Sequence, residues 1–322
     1  MRPFETITHP TWQNTPVSAF SPRPTTREDI KMALVPTYWQ SISLDDMNAK
    51  AAMQTRIDRK YIVGARYAAA VMAELNADAA VMEIKGQREF SYDSVYFDTP
   101  SLASYRAAAT GRRNRFKVRT RSYLDSDLSF LEVKTEGERA MTVKERIPYQ
   151  IENRDRLTPE GLDYVAESLN GLLDEPVTNL EPVLTTEYKR TTVFLPQSQE
   201  NPVDSRMTVD TSLAWTSLSE NALLYNVDFG NYHGRTLGTR YTAPGMVIIE
   251  TKSGTAPSVA DKHLWRAGIR PVKISKFATG MAALNPQLPA NKWNRVIERW
   301  MQLSPQGVPL QDPVSAAIPL VR

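Results

Sequence analysis

The sequence predicts an α+β fold: an antiparallel sheet or barrel of about eight or nine strands with a few helices packed outside. Three observations carry this. Strand-like runs follow one another directly, as in RFKVRTRSY, LSFLEVKT and MTVKERIPY, separated only by turns at LDSD and EGERA. Many of these runs alternate apolar and charged residues with a period of two, the pattern of a strand with two different faces. Helical patterns do not follow every strand, which disfavours alternating βαβ units.

Taken in order, SLDDMNAKAAM opens with Ser43 as an N-cap and Asp46 three residues on, and places Leu44, Met47 and Ala51 on one face of a short amphipathic helix. RIDRKYIV reads as a strand, and a helix runs from Arg66 to about Leu75. FSYDSVYFDT alternates until Thr99 and Pro100 stop it and open the helix PSLASYRAAAT, closed by Gly111. After the three consecutive strands, Thr158 and Pro159 begin a helix that ends near Gly171. Further strands are expected at PVLTTEYKRTTVFL, SRMTVDTSLAW, ALLYNVDF and GMVIIETKS. Helices are expected after Pro257, after Ser275 and across ANKWNRVIERW, where Trp293 and Trp300 form a buried stripe.

The ends differ from this pattern. Residues 1–42 carry six prolines and 304–322 carry four, so both read as arms or wraps, flanking a single domain over 43–303. With 41% hydrophobic and 23% charged residues the 322-residue chain is ordinary for a soluble globular protein. A net charge of +3 is mild, so any polyanion site is local. Cysteine is absent, which excludes disulfides, thiolate metal sites and thiol nucleophiles. No stretch reaches 18 uncharged apolar residues, and the N-terminus lacks an apolar leader; a cytoplasmic protein without its own membrane segment is expected.

Period-two counting puts Arg115, Lys117, Arg119 and Arg121 on one face of a single strand. The same rule groups Glu132 with Lys134 and Glu136, Lys144 with Arg146, Glu250 with Lys252, Asp58 with Lys60, Tyr188 with Arg190, and Arg206 with Asp210. Two readings follow. These faces are solvated, apolar in and polar out; or a barrel turns its apolar faces outward against helices and its charged faces into a lumen. Crowded cations repel, so the second reading needs a polyanion in the lumen, and phosphate is the natural one. Glu132 and Glu250 either pair with neighbouring lysines or hold a divalent metal that bridges phosphate oxygens.

RKY, VRTRSY, FLEVKT, VKER, EYKRT, RMTVDTSL, IIETK and SKF, in this order and spacing, resemble the VTC polyphosphate polymerase domain of the triphosphate tunnel metalloenzyme (CYTH-like) superfamily, over roughly Ser41 to Leu284. The resemblance implies an eight-stranded antiparallel tunnel that cleaves ATP with Mn²⁺ or Mg²⁺ and passes the γ-phosphate to a polyphosphate chain. It implies catalytic roles for Lys60, Arg119, Arg121, Lys134, Arg190 and Lys252, and phosphate binding by Lys144, Arg146, Tyr188 and Lys276. Lys117 and Arg206 are added as further tunnel cations, and Glu250 with Glu132 as metal ligands. The ExExK signature of other branches of the superfamily is absent, with RKY in its place. Coupled export of product would need a separate membrane partner.

Other enzymes and binders remain in view. A triphosphatase on the same tunnel would need a carboxylate to activate water, for which Glu132 is the candidate. A sensor would bind polyphosphate or nucleotide without turnover. Nucleic acid is not expected as a ligand: Phe116 and Tyr123 interleave with basic residues, but the cations spread over many strands instead of forming one stacking platform. Histidines occur only at His9, His233 and His263, too scattered for a metal cluster or a Ser-His-Asp triad, and no GxxxxGK[ST] or GxGxxG loop is present.

Overall fold

The structure, a computed structural model, describes residues 34, 36, 38–50, 57–75, 78–136, 142–218, 240–243 and 245–301. The first half contains β1 (Gln40–Ile42), α1 (Leu44–Lys50), β2 (Ile57–Gly64), α2 (Ala65–Glu74), β3 (Ala80–Met82), β4 (Phe90–Asp98), α3 (Ala103–Thr110), β5 (Arg115–Tyr123), β6 (Leu128–Glu136) and β7 (Thr142–Tyr149). There follow α4 (Pro159–Leu169), β8 (Glu181–Leu195), β9 (Ser205–Ser217), β10 (Arg240–Ala243), β11 (Met246–Ser253), α5 (Val259–Arg266), α6 (Lys276–Leu284) and α7 (Asn294–Trp300).

Eight strands form one hydrogen-bonded path, β2-β11-β9-β8-β4-β5-β6-β7, in which each neighbouring pair is antiparallel. Three short strands sit off it: β1 pairs in parallel with β3, β3 with β8, and β10 with β9. These three are too short to show an alternation, and none of them was expected from the sequence pattern. The expected strand ALLYNVDF and most of both proline-rich ends lie outside the described residues. Among the described residues no ladder joins β2 to β7. The sheet's curl shows instead in which charges meet across it.

Alternation along the strands separates two surfaces. In β5 the even-numbered residues Phe116, Val118, Thr120 and Ser122 are buried, while the odd-numbered ones are half-buried. The outer face carries Tyr61, Val63, Met207, Val209, Val247 and Ile249, which form one core with Ala68, Val71 and Met72 of α2 and Val259, Ala260 and Leu264 of α5. Further along the same face Val95, Phe97, Phe116, Val118, Leu131 and Val133 pack on Val165 and Leu169 of α4. At about 25 cal/mol per Å² of apolar surface removed from water, these two clusters are a principal source of stability.

Helices α2, α4 and α5 are therefore found outside the sheet, as expected, whereas Met47 of α1, Tyr105 of α3 and Val296 of α7 share the core of the inner face with α6. The α6 helix packs on the inner face, where Phe277, Ala278, Met281 and Ala282 join Tyr96, Leu184, Trp215, Met246 and Ile248. Its sequence KFATGMAAL is apolar almost all round, as a helix enclosed on several sides must be. At Gly280 a Cβ would collide with the Trp215 ring, so only glycine lets the helix lie this close to β9.

The capping residues behave as their positions dictate. Thr158 Oγ1 accepts from Gly161 N at 3.2 Å, with Pro159 opening α4. Ser258 and Asp261 form a reciprocal capping box on α5. Ser43 Oγ accepts from Asp46 N at 3.0 Å, but of the expected apolar face of α1 only Met47 is buried; Leu44 is exposed and Ala51 lies outside the described residues. In the last helix Trp293 serves as the cap, buried in the main core, and Trp300 packs at that core's edge. Among the described residues no helix is long and apolar enough to cross a membrane.

A cation-lined candidate site on the inner face

The inner face collects the charged positions that the period-two rule singled out. On β5, Arg119 donates from Nε and Nη2 to Glu132 Oε2 on β6, at 2.8 and 2.6 Å, and from Nη1 to the Tyr96 hydroxyl on β4 at 3.0 Å. Glu132 Oε1 accepts from Lys144 of β7 at 2.7 Å and has Arg121 Nη1 at 3.9 Å. Arg190 of β8 grips Asp210 of β9 through two bonds, Nε to Oδ1 at 2.6 Å and Nη2 to Oδ2 at 2.8 Å, and Lys276 at the start of α6 pairs with the same carboxylate. On β11, Lys252 pairs with Glu250 and with Asp58 of β2 at 3.0 Å, while Lys60 Nζ lies 3.8 Å from Glu250.

Opposite walls face each other. The charges of Lys60, Asp58 and Glu250, on β2 and β11, act on Lys134 of β6, and Lys60 acts on Lys117 of β5. Strands β2 and β11, at one end of the path, therefore lie within electrostatic reach of β5 and β6 toward the other. Lys117 Nζ also donates to Ser275 Oγ, the cap of α6, at 3.1 Å. Arg206 stands opposite Lys252 in the β9–β11 ladder. Tyr188, at the bulge of β8, lies against Tyr92 with ring centroids 5.1 Å apart and has Lys276 Nζ 4.3 Å from its ring. Arg146 reaches over the Phe130 ring at 4.6 Å.

All of the candidate residues thus fall on one curled face. What the sequence did not disclose is how fully the carboxylates are engaged. Glu132 is claimed by three cations and Glu250 by Lys252, with Lys60 at longer range, and Asp210, which the sequence pattern placed beside Arg206 without a role, anchors Arg190 and Lys276. Nor did it disclose the hydroxyls. Ser94 Oγ, Thr186 Oγ1, Tyr188 OH, Thr208 Oγ1 and Arg121 Nε are buried on this face with no hydrogen-bond partner. Such groups are rare in a folded protein unless a ligand or water meets them. Serine and threonine in a strand carry no mark that separates these from ordinary sheet positions.

Electrostatics sorts the groups. Burial alone would raise the Glu132 carboxyl, but Arg119, Arg121 and Lys144 outweigh it and hold it well below the usual carboxylate range. Glu250 is held low in the same way by Lys60, Lys252 and Arg190, and Asp210 by Arg190 and Lys276. Lys144 is brought down to about 8, chiefly by burial. Lys117 is brought down to about 7 by burial and then by the like charges of Lys134, Arg119, Lys60 and Arg115.

A proton count follows for Lys117. Its folded pKa lies below the unfolded value of 10.5, so unfolding takes up a proton between about pH 7 and 10.5, and this group's contribution to stability rises with pH across that window. A phosphate ligand favours the ammonium. Binding of inorganic triphosphate at pH 8, measured calorimetrically in two buffers of different ionisation enthalpy, is expected to take up on the order of half a proton more in the native protein than in Lys117→Met. Equal uptake in both would remove Lys117 from contact with the ligand.

A model of the VTC domain family matches residues 55–285, from the approach to β2 through α6, and so spans the whole eight-strand path and the inner helix. The chain belongs to the VTC domain family. Membership ties this VTC domain to polyphosphate or triphosphate chemistry. No curated protein matches it. Among solved structures it is similar, at 12% identity, to the PH1012 protein of Pyrococcus horikoshii, covering 66% of this chain and 88% of that one with a TM-score of 0.31. A putative adenylyl cyclase from Hippeastrum, described as having a dominant triphosphatase activity, is 12% identical over 71% of this chain and 96% of that one, with a TM-score of 0.37. Overlaps this loose leave the family match to carry the assignment.

Proposed function

We propose that this VTC domain is a metal-dependent polyphosphate polymerase, which moves the γ-phosphate of ATP onto a polyphosphate chain held within a tunnel formed by the curled sheet. One observation carries the reading: the inner-face carboxylates are engaged by cations, Glu132 by Arg119 and Lys144, Asp210 by Arg190 and Lys276, and Glu250 by Lys252. A carboxylate so engaged is a poor base toward water, which a triphosphatase must activate. The terminal phosphate of a polyphosphate chain is already ionised and needs no base.

Phosphoryl transfer asks of a protein mainly in-line positioning and neutralisation of charge. Arg119, fixed by Glu132 and Tyr96, and Arg190, fixed by Asp210, are preorganised for this, so little reorganisation accompanies the reaction. Lys60, Arg121, Lys134 and Lys252 complete the surround. Lys117, Lys144, Arg146, Tyr188, Arg206 and Lys276 line the path of the chain.

Mn²⁺ or Mg²⁺ is usually bound by one or two carboxylates together with substrate phosphates and water. The donor set fits that pattern at Glu250, whose Oε1 pairs with Lys252 while Lys60 Nζ stays 3.8 Å from Oε2. Glu132, with both oxygens taken by cations, acts as the clamp on Arg119 and Lys144. Among the described residues no three carboxylates or histidines converge, so phosphate would supply most of the coordination. When bound, the metal supplies neutralisation of the phosphate charge.

The test is to incubate the protein with ATP, Mn²⁺ and a short polyphosphate primer, resolve chain length on a gel and quantify ADP and free phosphate. Chain growth matched by ADP is expected. Free phosphate without growth would assign a hydrolase, and primer binding without turnover a sensor.

A further inference from the structure

Behind the wall that carries Glu250, Lys60 and Lys252, the outer face holds a carboxylate that no inner-face ligand touches. Asp261, the third residue of α5, is fully buried. Its Oδ2 closes the capping box, accepting from Ser258 N and from Ser258 Oγ at 2.8 Å each. Its Oδ1 turns to the sheet and accepts from two strands, from the Tyr61 hydroxyl of β2 and from Thr251 Oγ1 of β11, both at 2.6 Å. Arg59 of β2 lies 3.5 Å from Oδ2 and donates to Ser253 Oγ of β11 at 3.0 Å. Its guanidinium sits over the Trp265 ring, whose Nε1 donates to the Tyr61 hydroxyl at 2.9 Å.

Helix capping does not account for this arrangement. An exposed aspartate would close the same box, and burying a carboxylate is costly unless each oxygen is matched. Here the second oxygen ties β2 to β11. In the ladder of those two strands Glu250 faces Lys60 and Lys252 faces Asp58, with Thr251 opposite Arg59 between them. Consecutive strand residues point to opposite faces, so a bond that fixes Tyr61 or Thr251 on the outside fixes the direction of Lys60, Glu250 and Lys252 on the inside. β2 depends on this support. Among the described residues its one ladder is to β11, and its first half, with Ile57 and Asp58 exposed, is the less covered part. Burial, and then the bond to Asp261, push the Tyr61 hydroxyl well above its usual range, which keeps it a donor.

We propose that Asp261 is a positioning residue for phosphate binding: from the outer face it holds β2 and β11 so that Lys60 and Lys252 present their ammonium groups to the ligand at a fixed spacing. The assignment rests on the phosphate-binding reading of the inner face and adds to it a residue that touches no substrate. Its reach is local. Arg119 and Lys144 stand on β5 and β7, braced by Glu132, and Arg190 stands on β8, braced by Asp210.

A double-mutant cycle on binding tests this, since binding needs no turnover. Affinity for inorganic triphosphate is measured by calorimetry, without metal, in the native protein, Asp261→Asn, Lys60→Ala and the pair, and again with Lys144→Ala in place of Lys60→Ala. A residue that acts through Lys60 predicts that Asp261→Asn weakens triphosphate about fivefold alone, less than about twofold once Lys60 is replaced, and by the full amount beside Lys144→Ala. Thr251→Val, which deletes one hydroxyl and leaves Asp261 its other partners, is held to the same pattern, so a poorly folding Asp261→Asn does not decide the matter. Unchanged affinity overturns the proposal. An equal loss in all three backgrounds overturns it too, since that marks a general loss of stability. Failure of the polymerase reading would show separately, as absent chain growth with the cycle intact.

Discussion

Replacing Asp210 by asparagine is expected to destabilise the unliganded protein by about 3–5 kcal/mol, the cost of leaving buried cations without their counter-charge. Asp210 is fully buried, and it is the shared partner of Arg190 and Lys276. Its effect exceeds that of an exposed ion pair, which contributes about 0–1 kcal/mol. Because its carboxyl is held below the unfolded value of 3.8, its contribution is present above that pH and lost only as pH falls through the lower folded value. Chemical denaturation at pH 7 measures the loss. Inorganic triphosphate should restore more of the unfolding midpoint in the variant than in the native protein, since its oxygens replace the missing charge. An unchanged midpoint would show that Arg190 and Lys276 are already balanced by other groups.

Glu250→Gln is expected to lower ATP turnover by about 10²–10³-fold, the range found when one preorganised electrostatic contact to a transition state is lost. Affinity for triphosphate in the absence of metal should stay the same or rise, because a negative charge leaves a cationic surface. This split distinguishes a metal ligand from a residue that only holds Lys252 and Lys60 in place. ADP release across a Mn²⁺ titration reads it. If turnover falls but its dependence on Mn²⁺ does not change, Glu250 positions lysines and the metal is held elsewhere.

Much of the site was legible from the period-two rule because β5 obeys it over its full length, Arg115 to Tyr123, with buried and half-buried residues in strict alternation. The apolar halves of the same strands announced the outer cores with equal clarity. What stayed hidden was pairing between residues distant in sequence: Glu250 with Lys60, Arg190 with Asp210, Lys117 with Ser275. Alternation gives the face on which a charge sits and nothing about what stands across from it. Of the two readings open for Glu132 and Glu250, pairing with neighbouring cations is what the inner face displays, and Asp210 joins them. The position of α6 was hidden for a related reason: an apolar helix that fills the inside of a sheet has the same composition as one buried outside it.

That helix sets a dimension. Three consecutive residues at its start each touch a different wall: Ser275 receives Lys117 of β5, Lys276 pairs with Asp210 of β9, and Phe277 stacks on Tyr96 of β4 at 5.0 Å. The backbone carbonyl of Lys276 also accepts from Trp215 Nε1 at 3.0 Å. Strand number and tilt alone would leave the curl of the sheet free to relax toward whatever its charges prefer. A wedge fixed to three strands at once works as a calliper instead, so the spacing between these three walls is written into a single tripeptide.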